Sequence, residues 1–288
     1  MWNINSFLDR LRMKTAVPIR QYCFTKMRQT MSWSRILITG ASSGLGWALA
    51  VELARPGTVL MLSGRDEKRL SQLAVLVQER GATALVCAAD LSSQHGQEGL
   101  IEIIDREAPD LLIHSAGLGA YGRFVDTELE RSLEIIQVNV LAIVALTHAW
   151  CRRLMKACLP GKVIVISSIA GFLPIPSMAT YAASKACLTN LAEGLRFELK
   201  ASGIKVLTVC PGHFATNFQL RAAGRTVTDP ASPAAFKVAR AIIRVMDREG
   251  IYVPMPWKAL LPLRWFIPTR WLMSFLEHRV VANLDTPT

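Results

Sequence analysis

The chain has no C-x-x-C pair, although it contains six cysteines. Cys23, Cys87, Cys151, Cys158, Cys187 and Cys210 are scattered, and Cys87 and Cys210 end apolar runs as small hydrophobes would. No disulfide framework follows, which suits a reducing, intracellular and cytoplasmic setting. The five histidines lack metal-ligand spacing, which argues against a zinc site. Acids are scarce: 22 Asp and Glu stand against 33 Lys and Arg, for a net charge of +11. That excess suits an anionic partner. There is no helix-turn-helix or zinc-finger pattern and no run of five basic residues, so nucleic acid is not an expected partner. No uninterrupted apolar stretch reaches the ~20 residues that span a bilayer as a helix. The N-terminus also lacks the apolar core and cleavage site of a secretory signal.

Hydrophobic residues make up 51% of the 288, enough for a large core. Continuous β-branched runs occur at 35–39, 58–63, 83–88, 110–114, 162–167, 204–210 and 250–253. Runs without alternation point to strands buried on both faces. Helix-length segments lie near 45–55, 66–80, 93–107, 126–157, 178–201 and 232–249. Strand-helix repetition predicts an α/β fold: a Rossmann-like, doubly wound parallel sheet of about seven strands with helices on both faces. Residues 32–253 read as one catalytic domain. Residues 212–235 lack periodicity and read as a functional loop, such as a lid.

Two flanks differ in composition. Residues 1–31 form a basic extension in which Arg10, Arg12, Lys14, Arg20, Lys26 and Arg28 face the single acid Asp9. Three readings stay open: a presequence, a lipid-touching segment, or an upstream extension with the working protein starting at Met31. Residues 254–288 form a tail rich in Trp, Arg and Pro, with Trp257, Trp265 and Trp271 among Lys258, Arg264, Arg270 and Arg279. Such a segment suits peripheral membrane contact, or else covers the substrate pocket or a subunit interface.

The first strand runs into Thr39-Gly40-Ala41-Ser42-Ser43-Gly44-Leu45-Gly46, and a helix follows. The glycines permit a sharp exit and close approach of a diphosphate, and the helix N-terminus offers free N–H groups. This is the physics of a dinucleotide-binding turn. At the end of the second strand, Ser63-Gly64-Arg65 has no acid before Arg65 to repel a 2′-phosphate. Arg65 can pair with that phosphate, which predicts NADP(H) over NAD(H). Asp66 either competes for the guanidinium or caps the next helix.

Tyr181 and Lys185 lie four apart in a helical stretch, so they share a face. A nearby ammonium favours the phenolate, which predicts a lowered phenol pKa and proton exchange with an alcohol or carbonyl. A lowering of ~2–3 units corresponds to roughly 3–4 kcal/mol.

Taken with the glycine turn, these residues resemble the short-chain dehydrogenase/reductase superfamily, in its form of about 250 residues, over 35–253. In that resemblance Asp90-Leu91 hold the adenine. His114-Ser115-Ala116-Gly117 stand where the family has Asn-Asn-Ala-Gly, and only Ala116 and Gly117 match. Asn139 matches the helix asparagine that holds a proton-relay water. Ser168, 13 residues before Tyr181, matches the serine that steadies the substrate oxygen, with Ser167 as the alternative. Pro211, Gly212 and Thr216 match the loop at the nicotinamide carboxamide. Lys185 holds the nicotinamide ribose. The resemblance implies hydride transfer with Tyr181 as proton donor or acceptor, in a homo-oligomer paired through helices 126–157 and 178–201.

The pocket is expected among 118–124, 169–178 and 212–235, with Leu118, Tyr121, Phe124, Phe172, Leu173, Ile175, Met178, Phe214 and Phe218. An apolar lining implies a lipophilic ketone or aldehyde. Two other classes compete. A nucleotide-binding scaffold or regulator would bind cofactor without turnover. A membrane-surface structural protein would bind lipid without nucleotide.

Overall fold

The apolar runs form seven strands: β1 (Arg35–Thr39), β2 (Val59–Gly64), β3 (Thr83–Ala88), β4 (Leu111–His114), β5 (Gly161–Ile166), β6 (Ile204–Val209) and β7 (Gly250–Tyr252). They make one parallel sheet in the order β3-β2-β1-β4-β5-β6-β7. The computed structural model describes residues 33–212, Ala222, 231–254 and Trp271, and all of these belong to a compact unit that begins at Met31.

Register explains why the strands are apolar throughout. Ile36, Leu60 and Leu111 are paired neighbours, as are Leu37, Met61 and Leu112 one residue on. The first set belongs to the core on one face of the sheet, with Trp47, Leu70, Leu73 and Ile242. The second set belongs to the core on the other face, with Leu100, Leu146, Trp150 and Leu188. Each fully buried Leu or Ile contributes about 1.5–3 kcal/mol relative to exposure. The outermost strand β3 departs from the pattern. It is largely exposed or half-buried because only β2 pairs with it.

The helices are α1 (Gly44–Leu53), α2 (Glu67–Gln78), α3 (Gln94–Glu107), α4 (Leu129–Ile136), α5 (Ala142–Ala157), α6 (Ala179–Glu198) and α7 (Pro233–Val245). Local chemistry sets their ends. Asp66 caps α2 by accepting from Arg69 N–H, and Ser93 caps α3 by accepting from Gly96 N–H. Ser232 caps α7, which continues with Pro233 at its first position.

One element differs from the sequence expectation. Residues 126–157 do not form a single α-helix: a π turn, Gln137–Leu141, separates α4 from α5. Here Ala142 N–H bonds Gln137 O rather than the carbonyl four back. An inserted residue of this kind is frequent at functional sites. Neither Gly nor Pro announces it. The rod Leu129–Ala157 is long and apolar enough by composition to cross a membrane, yet 44% of its most apolar window is buried in the protein. Ile143, Leu146 and Trp150 pack it into the core.

The strand order reverses between β1 and β4. Crevices at such a switch point, beyond the carboxyl ends of the strands, are where open α/β sheets bind ligands.

Candidate active site

A cavity of about 380 Å³ opens at the carboxyl ends of the strands. Its wall includes Gly40, Ser42, Ser43, Gly44 and Leu45 after β1, Arg65 after β2, and Asp90 and Leu91 after β3. Ala116 and Gly117 after β4, Ser168 after β5, Tyr181 and Lys185 on α6, and Pro211 and Gly212 after β6 complete it. Residues 172 positions apart in sequence, from Gly40 after β1 to Gly212 after β6, thus line one crevice.

Three further residues named from sequence support this wall instead of lining it. Thr39 is fully buried, and its hydroxyl accepts from Ala116 N–H at 3.1 Å, tying β1 to the loop after β4. Gly46 lets α1 sit on the Gly40 carbonyl, where any Cβ would collide. Asn139 is fully buried; its Oδ1 accepts from Leu118 N–H at 2.8 Å, and its Nδ2 donates to Leu118 O and Ser184 Oγ. The side-chain amide is therefore committed to fixing the loop after β4. Thr216, Phe214 and Phe218 lie outside the described residues.

The glycine turn fits a dinucleotide. Gly40 has φ +68° and its missing Cβ would stand 2.7 Å from Ala116 Cα, so only glycine is accommodated. Gly44 has φ +59°. The N-cap residue Ser43 makes no side-chain cap, which leaves α1 with its amide end towards the cavity wall.

At the catalytic end, the two adjacent serines divide the work. Ser167 is buried, donates to Lys185 O at 3.0 Å and bonds Thr189 Oγ1 at 2.8 Å. Ser168 bears on the Tyr181 hydroxyl through a side-chain hydrogen bond, and its Oγ accepts from Ala170 N–H. Lys185 Nζ donates to Ile166 O at 2.9 Å and lies 5.8 Å from the Tyr181 ring centroid. A Cβ on Gly117 would stand 3.4 Å from that ammonium and 3.6 Å from Asn139 Oδ1.

The electrostatics correct one sequence expectation. The Tyr181 phenol is not acidified by its surroundings. Burial pushes it up to about 12, against a downward pull from the Ser168 hydrogen bond. The residue as a whole is half-buried, but the shift follows its enclosed hydroxyl end. Burial also pushes Lys185 down to about 8. His114, which departs from the family pattern, does not line the cavity. It is fully buried, bonds Thr147 Oγ1 at 2.8 Å, and is pushed down to about 3 by burial and by Lys185, so it is neutral.

At the other end, Asp66 caps α2 and pairs with Arg69, so it does not take Arg65. Arg65 instead pairs with Glu134 on α4, Nη1 to Oε1 at 3.1 Å. Asp90 accepts from Ser92 N–H and Ser92 Oγ. Its carboxyl lies below the ordinary range: burial opposes this, while the Ser92 bonds and the Arg65 charge produce it.

Over the cavity, Leu118, Tyr121, Ile175 and Met178 line the wall as expected. Phe124, Phe172 and Leu173 do not. Phe124 is 66% exposed and borders only a small void on another side of Tyr181. Ile169 and Ala222 also line the cavity, within the expected segments 169–178 and 212–235, whereas Arg131 and Val138 line it without having been expected from sequence. No local signal marks them, since helical position alone does not say which side faces a crevice.

A family model described as short chain dehydrogenase matches residues 34–224. The chain belongs to the short-chain dehydrogenase family. Members of that family use nicotinamide cofactors. A protein named probable oxidoreductase EphD, from Mycobacterium tuberculosis, is 33% identical over 184 residues. That match covers 63% of this chain and 31% of the relative, so the chain spans about a third of the relative's length. A short-chain dehydrogenase from Sphingobium yanoikuyae, solved with NADPH, is 32% identical with a TM-score of 0.71, covering 88% of this chain and 97% of that one. The bulky-bulky ketone specific alcohol dehydrogenase from Comamonas testosteroni is 28% identical with a TM-score of 0.68, covering 90% and 96%.

Proposed function

We propose that this protein reduces a hydrophobic ketone or aldehyde to its alcohol with NADP(H), and catalyses the reverse oxidation, with Tyr181 managing the proton. The observation that carries the reading is the convergence of Ser168, Tyr181 and Lys185 on the cavity that also holds the glycine turn and Arg65. The Sphingobium relative bound NADPH and the Comamonas relative is named for ketones, which supports both halves of the reading.

The cofactor, when bound, supplies hydride to the carbonyl carbon. Gly40, Ser42, Ser43 and Gly44 would hold its diphosphate, Asp90 and Leu91 its adenine, and Arg65 its 2′-phosphate. Lys185 would hold the nicotinamide ribose, and Pro211, Gly212 and Thr216 the carboxamide. Ser168 would steady the substrate oxygen and Tyr181 donate the proton to it. A phenol of pKa about 12 is fully protonated at neutral pH, so it carries the proton that carbonyl reduction requires. Asn139 acts as a positioning residue: from the π turn its amide fixes Leu118 beside the cavity.

Leu118, Ile175 and Met178 beside Tyr181 support a lipophilic substrate. The test is NADPH oxidation, followed by nicotinamide absorbance, over ketones of graded chain length. Wild type should turn over the longer ketones, and Tyr181→Phe should lose turnover yet bind NADPH as before. Binding without turnover by wild type across the panel would favour a scaffold.

Homo-oligomerisation through α4, α5 and α6 is supported by the exposed side chains Leu133, Leu141, Val144 and Phe197. Light scattering on the full chain tests it, and a monomer refutes it. Membrane contact by the tail 254–288 stands as a proposal on composition, with almost all of that tail outside the described residues. Flotation with anionic liposomes, lost on removing residues 256–288, is the expected result.

A further inference from the structure

Arg65 leaves the end of β2 and pairs with Glu134 on α4, 69 residues later in the chain. The two oxygens of Glu134 hold different guanidinium groups. Oε1 takes Arg65 Nη1 at 3.1 Å, and Oε2 takes Arg131 Nη1 at 2.6 Å. Both arginines line the cavity.

The two cations are held unequally. Arg131 is anchored on two sides, since its Nη2 also donates to Gly119 O at 2.8 Å. Its side chain is 33% exposed, and its bond to Glu134 lies within one helix turn. The Arg65 side chain is 56% exposed, and its contact with Glu134 is the longer one. Exposed ion pairs of this kind are weak and exchange readily. Arg65 is thus a transferable cation and Arg131 a fixed one.

We propose that Glu134 is a specificity-determining residue: its carboxylate occupies Arg65 in place of the 2′-phosphate and releases it when that phosphate arrives, while Arg131 keeps the carboxylate paired. The proposal rests on the reading of Arg65 as the 2′-phosphate residue. It makes discrimination between NADP(H) and NAD(H) a competition between two anions for one guanidinium. Without Arg131, Glu134 would bind Arg65 harder and the phosphate would compete less well. Without the Glu134 carboxylate, Arg65 would be available from the start and a negative charge facing the phosphate would be gone.

The experiment is calorimetric titration of the full chain with adenosine 2′,5′-bisphosphate and with AMP, which differ by the 2′-phosphate alone. No turnover is needed. Glu134→Gln keeps the shape of a half-buried helix residue. It should tighten the bisphosphate about 3- to 10-fold and leave AMP within about 2-fold. Arg131→Met should weaken the bisphosphate about 3-fold in the native background and have no such effect in the Glu134→Gln background. The proposal is overturned if Glu134→Gln leaves the bisphosphate unchanged or weakens it, if AMP tightens equally, or if Arg131→Met acts alike in both backgrounds. Arg65→Ala separates the two readings. A bisphosphate-to-AMP ratio unchanged by Arg65→Ala sinks the role of Arg65 itself. A ratio that collapses in Arg65→Ala, with Glu134→Gln behaving as wild type, sinks the role of Glu134 alone.

Discussion

Raising the pH should silence Lys185 well before it touches Tyr181. Lys185 is 5% exposed, and burial pushes its ammonium from 10.5 down to about 8. That difference corresponds to about 3 kcal/mol of lost preference for the charged form. At pH 7 a group of this pKa is about nine-tenths ammonium, and at pH 9 about one-tenth. Tyr181 stays protonated throughout, with its pKa near 12. If the ammonium holds the nicotinamide ribose, kcat/KM for NADPH should be flat to about pH 8 and then fall about tenfold per unit. The assay is initial-rate carbonyl reduction from pH 6 to 10. Lys185→Met should lower the rate at pH 7 by about 10²–10⁴ and abolish the limb. A control comes from Lys162, which also titrates near 8 but sits at the opposite end of β5. Lys162→Met should keep the limb. A wild-type profile that stays flat to pH 10, or a limb that survives in Lys185→Met, would refute the reasoning.

Lys162 carries its own prediction. It is fully buried, donates to Arg248 O at 2.6 Å, and is pushed down to about 8 by burial and by Lys205. A lysine whose folded pKa lies below its unfolded value penalises the fold while both states are protonated, and the penalty fades as pH rises from about 8 to 10.5. Urea melts should therefore show wild type gaining up to about 3 kcal/mol on Lys162→Met across that window. Ser168→Ala removes the hydrogen bond that restrains the Tyr181 pKa and should cut kcat by about 10²–10³, whereas Ser167→Ala should act mainly on the melting temperature. Gly46→Ala drives a Cβ into the Gly40 carbonyl and should abolish NADPH binding in a fluorescence titration. Gly44→Ala meets nothing within 4 Å and should cost about 1 kcal/mol of stability from its positive φ alone.

The strands and the glycine turn were legible before any coordinates because each depends on neighbours in the chain. A run such as Ile36-Leu37-Ile38 is apolar at every position, since both faces of a central strand are buried. The edge strand β3 looked the same in composition, and only its place beside β2 exposes it. The choice between Ser168 and Ser167 needed the third dimension. Adjacent residues of an extended strand end point to opposite sides, and only packing says which hydroxyl bonds the α6 backbone and which bears on Tyr181. The π turn at Asn139 was hidden because no residue type demands it.

The direction of the Tyr181 shift shows the same division most plainly. Spacing along a helix puts a phenol and an ammonium on one face, and that much follows from 3.6 residues per turn. It does not say how deeply the face is buried, and in the folded cleft desolvation outweighs the downward pull of the Ser168 hydrogen bond. Arg65 likewise read as a cation for a 2′-phosphate with Asp66 as its competitor, until Glu134, 69 residues away, came into reach. Periodicity and turn chemistry are local and survive in the bare chain. Burial, and the charge that ends up opposite a given charge, exist only once distant segments have packed together.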